Sequence, residues 1–160
     1  PPDSMLSGNT LPGNCWGLPG SSGQLGISLP HPVIIGHVTI NHVVKELVSD
    51  MECAPRLVIL WGVINGKNNE EKASRMTIRH PPEFRHFLSA WHGPPITAGL
   101  SYLPLSYISY DIFNEYWVQM LPVIQDTRRL GIDFGVVVLE VLNNWGGNST
   151  CLYRVHVHGE

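Results

Sequence analysis

Chain breakers run through the whole of this sequence and limit it more than any other feature. Thirteen prolines and sixteen glycines punctuate 160 residues, so the apolar segments come as short runs with turn signals between them. That pattern suits many short strands joined by turns and disfavours a helical bundle. A chain of this length fits one domain and buries a sizeable core. Only 14% of its residues are charged and the formal net charge is −3, which leaves no basic footprint for nucleic acid. No apolar run approaches the roughly eighteen residues of a membrane span. The chain does not open on Met and carries no signal-peptide pattern. It reads as a fragment of a longer protein, residues 1–160 forming one domain, with any membrane anchor outside them.

The strands are legible one by one. Gln24 to Leu29 alternates, with Leu25, Ile27 and Leu29 on one side, and Pro30-His31-Pro32 breaks it. Val33 to Ile40 is rich in β-branched residues and reads as a second strand. Asn41 to Asp50 places Val43, Val44, Leu47 and Val48 at near-helical spacing, either as one or two helical turns or as a turn with apolar anchors. Leu57 to Val63 is a continuous apolar run, the mark of a strand buried on both faces. Asn65 to Arg79 is polar and interrupts the strand pattern. Then Phe84, Phe87, Leu88 and Trp91 fall on one helical face, which predicts a short amphipathic helix over His80 to Trp91, stopped by Gly93-Pro94-Pro95. Ser101 to Tyr110 is a strand that Pro104 marks as an edge, and Tyr116 to Ile124 and Gly135 to Leu142 are two more. Leu152 to His158 alternates as the last, with Tyr153, Val155 and Val157 toward the core and Leu152, Arg154, His156 and His158 on the other face. Seven or eight strands, mostly antiparallel, make an all-β domain: a β-sandwich of jelly-roll type with a short helical insertion.

Before that last strand, Asn143-Asn144-Trp145-Gly146-Gly147 reads as a tight turn, since paired Asn and Gly tolerate positive φ. Three motifs then resemble one family in the right order. They are Pro12-Gly13-Asn14-Cys15-Trp16 followed by Gly20 and Gly23; Thr39-Ile40-Asn41-His42 with Ala54-Pro55-Arg56 downstream; and Asn144-Trp145-Gly146, Thr150-Cys151-Leu152-Tyr153-Arg154 and Val157-His158-Gly159-Glu160. Together they span about Pro12 to Gly62 and Ser101 to Glu160. The chain resembles the SUN domains of inner nuclear membrane proteins, of the kind expected in a fungal member. Relative to the animal SUN domains, residues 66–99 look like an insertion. Its helix would pack onto a sheet or serve as an accessory docking surface.

The resemblance implies a partner. SUN domains capture the C-terminal tail of KASH proteins of the outer nuclear membrane, the tail adding as an extended strand and its carboxylate entering a donor-lined pocket. This implies a KASH or KASH-like tail as partner, a LINC-complex role between the nuclear interior and the cytoskeleton or spindle pole body, and a place in the perinuclear space. The matching partner-binding positions are His42, Cys53, Ser149 and Tyr153. Two depart from the family pattern: Cys53 stands where the family has serine and Ser149 where it has tyrosine. A thiol donates more poorly than a hydroxyl, and serine is shorter than tyrosine, so capture of a standard tail ending in PPPX is expected to be weaker or altered. The family's lid hairpin and its coiled coil, which drives a homotrimer, would lie upstream of these residues.

Three cysteines and no CxxC pair argue against a zinc ribbon or a thioredoxin-type site. By spacing alone they read as three buried or partly buried thiols. The resemblance implies instead a disulfide between Cys15 and Cys151, closing a loop that the chain-entropy model values at roughly 5 kcal/mol, and leaves Cys53 as the odd thiol. It also implies that residues 1–13 form a loop for a monovalent cation, K+ or Na+. The carbonyls would come from Ser4, Ser7, Asn9 and Asn14, with Tyr153 nearby, and side chains give no sign of this site. Asn148-Ser149-Thr150 is a glycosylation sequon, expected to stay unmodified or only partly modified beside the pocket.

No nucleophile motif, HExxH or phosphate loop is present, and the chain reads as no enzyme and without an organic cofactor. Two rival readings are a glycan-binding jelly-roll module using Trp16, Trp91 and Trp145, and a cupin-type metal enzyme in which His42 or His92 converges with His156 and His158.

Overall fold

A computed structural model describes residues 16–41, 52–86, 94, 99–113, 118–152 and 154–160. Among them lie nine strands: β1 (Trp16–Pro19), β2 (Gly23–Val33), β3 (Ile35–Asn41), β4 (Pro55–Val63), β5 (Tyr102–Ser109), β6 (Val118–Pro122), β7 (Phe134–Asn144), β8 (Ser149–Leu152) and β9 (Arg154–Gly159). Helices are short, α1 (Lys67–Ser74) and α2 (Thr127–Leu130), with a 3-10 turn at Pro82–Phe84. Every strand pairing is antiparallel. The sheets are β2-β7-β4-β5, β6-β3-β9 and the two-stranded ribbon β1-β8. This is the expected all-β sandwich.

One apolar cluster joins all three sheets. It takes Leu25 and Ile27 from β2, Val58 and Leu60 from β4, Leu139 and Val141 from β7, Val38 and Ile40 from β3, Val155 from β9, and Leu18 and Leu152 from the ribbon. The other face of the four-stranded sheet carries a second cluster of Ile59, Trp61, Tyr107, Val138 and Phe84. Alternate residues of β4 thus point into different cores, the reason this strand reads as unbroken apolar sequence. Phe84, from the 3-10 turn, is 1% exposed and meets Tyr107 edge-on at 4.9 Å. A buried side chain of that size contributes about 2–3 kcal/mol, enough to dock the segment onto the sheet. Beside it Tyr107 Oη bonds His80 Nδ1. Burial raises the Tyr107 pKa, and burial and then Arg85 lower that of His80, which favours a neutral phenol beside a neutral imidazole.

Several elements differ from the sequence expectations. β2 continues through Pro30 and Pro32, but its register on β7 shifts between Ser28 and Val33. It is an edge strand, where proline without an N–H is tolerated. Pro104 does mark an edge: β5 is the other border of that sheet and slips register at this proline. The polar Asn65–Arg79 stretch holds α1, which buries no residue. Of the helix expected over His80 to Trp91 the described residues show one 3-10 turn, and residues 87–93 lie outside them. The apolar-anchored segment 42–50 also lies outside. The C-terminal run is two strands rather than one. β8 pairs with β1 and β9 with β3, so Leu152, expected on the outer face, is 2% exposed in the core.

Candidate functional site

The sequence Asn143 to Cys151 folds as a clasp around residues 52–54. Asn144 is 8% exposed, and its Nδ2 lies 2.9 Å from Gly147 O, 3.0 Å from Ser149 O and 3.1 Å from Thr150 Oγ1. Its Oδ1 accepts from Gly146 N at 2.9 Å, an Asx turn that Gly146 completes with φ of 114°. The turn grips the Glu52–Ala54 backbone from one side: Trp145 N donates to Ala54 O at 3.2 Å and Gly147 N to Glu52 O at 3.0 Å. β8 grips it from the other, Cys151 N donating to Cys53 O at 2.8 Å. Thr150 Oγ1 donates to Gly20 O at 3.0 Å, tying the clasp to the turn after β1.

This geometry brings Cys53 against β8. Its half-buried thiol position lies beside Cys151, and Ser149, exposed, stands two residues along the same strand. Two of the four expected partner-binding positions therefore share one place. His42 and Tyr153 lie outside the described residues; their chain neighbours Asn41 and Arg154 are register partners at the ends of β3 and β9. Cys15 and the cation-loop positions Ser4, Ser7, Asn9 and Asn14 also lie outside. Of the described cysteines, Cys151 is disulfide-bonded and Cys53 is not. Trp16 is opposite Leu152 and Gly17 opposite Cys151, which sets the register of the ribbon that leads into both expected disulfide partners. Asn144, Gly147 and Glu52 were not singled out as site residues. The NWGG turn signalled a tight bend, but not what the bend would hold.

The family model "Sad1 / UNC-like C-terminal" matches residues 1–84, just over half of the chain. The chain belongs to this family, the SUN domains. Human SUN domain-containing protein 5 is 30% identical over 162 residues, covering 99% of this chain and 33% of that protein. Mouse SUN domain-containing protein 3 is 29% identical over 163 residues, covering 99% and 40%. The chain thus spans about a third of the length of such relatives. Among solved structures, a family 32 carbohydrate-binding module from Streptococcus pneumoniae EndoD superposes with a TM-score of 0.60 at 14% identity, covering 99% of this chain and 84% of that one. At that identity the likeness is one of fold.

The tryptophans of this SUN domain do not assemble as a sugar platform among the described residues. Trp16 and Trp145 both pack against the main core, and Trp91 lies outside the described residues. Trp145 is further engaged: its Nε1 donates to Tyr110 O at 3.0 Å, Arg56 covers its ring at 4.5 Å, and Phe113 meets it edge-on at 5.6 Å. The histidines of β9 do not converge on a point either. His156 and His158 lie ring to ring at 4.4 Å, and His158 stacks on His37 at 4.3 Å with 11° between planes. Face-to-face rings do not aim their nitrogens at a common centre. Among the described residues no group of three or more His, Cys, Asp or Glu is placed to hold a metal.

Proposed function

We propose that this SUN domain is a non-enzymatic tether that binds the C-terminal tail of a KASH or KASH-like protein. It would work in the perinuclear space, joining the nuclear interior to the cytoskeleton or spindle pole body as part of a LINC complex. Family membership supports the class. The observation that supports the site is the clasp, which holds Cys53 against β8, the strand that carries Ser149; the resemblance implies tail contact at both positions. A Cys15–Cys151 disulfide, a K+ or Na+ ion held by backbone carbonyls of residues 1–14, and trimerisation through an upstream coiled coil belong to the same reading.

The test is a titration of the full luminal region with tail peptides ending in a free carboxylate or an amide. Binding that drops on amidation, and is weaker than a serine- and tyrosine-bearing SUN domain achieves, is the expected result. Indifference to the carboxylate would overturn the tail reading. Tight capture of a standard PPPX ending would overturn the weakened pocket.

A further inference from the structure

A second site lies at the far end of β9, apart from the clasp. His37 and His158 are register partners on β3 and β9, stacked at 4.3 Å, and Thr39 Oγ1 lies 3.1 Å from His158 Nε2. A cleft of about 270 Å³ opens beside them, lined by Ile34, Gly36, His37, Arg128, His158, Gly159 and Glu160. The β3 ladder slips register between Ile35 and His37, which makes Gly36 the bulged residue. A side chain there would meet the Arg128 guanidinium at 3.7 Å, so glycine keeps this wall low.

The charges around the rings are nearly all of one sign. Arg128 comes from α2, where Arg129 and Asp126 pair with each other at 3.2 Å. From β9, Arg154 donates to His156 Nδ1 at 3.1 Å, and His156 adjoins His158. β6 sets Pro122 and Met120 opposite His37 and Thr39, neither titratable. The one acid lining the cleft is Glu160, which faces Arg128 at 3.6 Å with both side chains largely exposed. Such a pair is weak and easily exchanged for a better anion. With the imidazoles neutral, Arg128 and Glu160 cancel. With both rings protonated, two cations are stacked face to face and nothing in the cleft offsets them.

We propose that this cleft is a proton-gated site for a doubly charged tetrahedral oxyanion, the group found in sulfate and in phosphate monoesters. The anion sits between the Arg128 guanidinium and the His37–His158 pair and displaces Glu160. Arg128 supplies a fixed fork; each neutral ring carries one N–H, and protonation gives each a second donor together with a positive charge. The proposal is independent of the tail site.

The probe is inorganic sulfate, whose charge is constant over the range, added at constant ionic strength while the histidine ring signals are followed by NMR. At about pH 5.5, His37 and His158 are expected to shift together along one saturable curve. Affinity should fall by up to about tenfold per pH unit for each linked proton. R128Q, which changes an exposed side chain outside the sheets, and H37Q should each abolish saturation with the fold intact. O-phosphoserine distinguishes an esterified group from the free ion: the same shifts identify an ester site, their absence a site for the ion alone. Sulfate binding that ignores pH or survives R128Q, or acetate saturating equally well, overturns the proposal.

Discussion

Asn144 donates through Nδ2 to Thr150 Oγ1 at 3.1 Å, and that contact closes the loop between β7 and β8 from within. The same carboxamide also reaches the carbonyls of Gly147 and Ser149. Asn144→Ala would take the donor away from the buried Thr150 Oγ1 and from two part-buried carbonyls. An expected loss of about 2–4 kcal/mol follows, read as a lower urea midpoint at unchanged slope. A loss below about 0.5 kcal/mol would show that the clasp does not depend on this side chain.

Gly147 is fixed by close approach rather than by conformation. A Cβ there would stand 3.0 Å from the carbonyl carbon and oxygen of Glu52 and 3.1 Å from Cys53 N. Gly147→Ala should push residues 52–53 away from the turn at a cost of about 1–3 kcal/mol. Hydrogen exchange is the sharper readout. The Cys151 amide, which donates to Cys53 O, should exchange faster, while amides of β4 and β7 stay protected.

Cys53→Ser tests the proposed weakening of tail capture directly. A hydroxyl in place of the thiol restores a good donor beside β8. Affinity for a carboxylate-ended tail is expected to rise by about 1 kcal/mol, near fivefold, and affinity for the amidated tail to stay level. An equal change for both peptides would place Cys53 outside the carboxylate contact.

Stability should fall with acid in a window set by two histidines. Burial, then His156, His37 and Arg154, lower the His158 pKa below its usual 6.5, and burial and Arg85 lower that of His80. The unfolded chain therefore takes up these protons at higher pH than the folded one. The contribution of each is present in full above about 6.5 and is lost as pH falls through the folded value. Urea midpoints measured between about pH 7.5 and pH 5 should decline, and His158→Gln should flatten part of that slope. A midpoint that rises with acid over this range would contradict the assignment.

Thr127 is fully buried, and among the described residues its Oγ1 has no hydrogen-bond partner. Thr127→Val removes that uncompensated hydroxyl at nearly constant shape. Thermal unfolding should show no loss, and up to about 1 kcal/mol of gain. A destabilised variant would mean that the hydroxyl is satisfied in solution.

Much of the sandwich could be read from local pattern. β4 and β7 are strand-length apolar runs because both their faces are buried, and Pro104 marked an edge because proline lacks a ladder donor. α1 escaped detection for the opposite reason. It buries no side chain, so it has no apolar stripe; Asn69 Nδ2 on Asp133 Oδ1 at 2.9 Å and Lys72 Nζ on Gly131 O at 3.3 Å hold it instead. Those partners are some sixty residues away, beyond the reach of any periodicity. Of the partner-binding positions that the resemblance implied, the structure places Cys53 against β8, the strand that carries Ser149, through the Cys151 N to Cys53 O bond.

Alternation, breakers and three ordered motifs determined the strand-rich class and the family, because each depends on residues close in the chain. Tertiary structure decided where the chain changes sheet between Leu152 and Arg154, and hence which face each residue takes. Alternation holds only while a strand keeps one partner, and here β8 pairs with β1 and β9 with β3. The stacking of His37 on His158 likewise follows from the register of two strands far apart in sequence, and no local pattern encodes it.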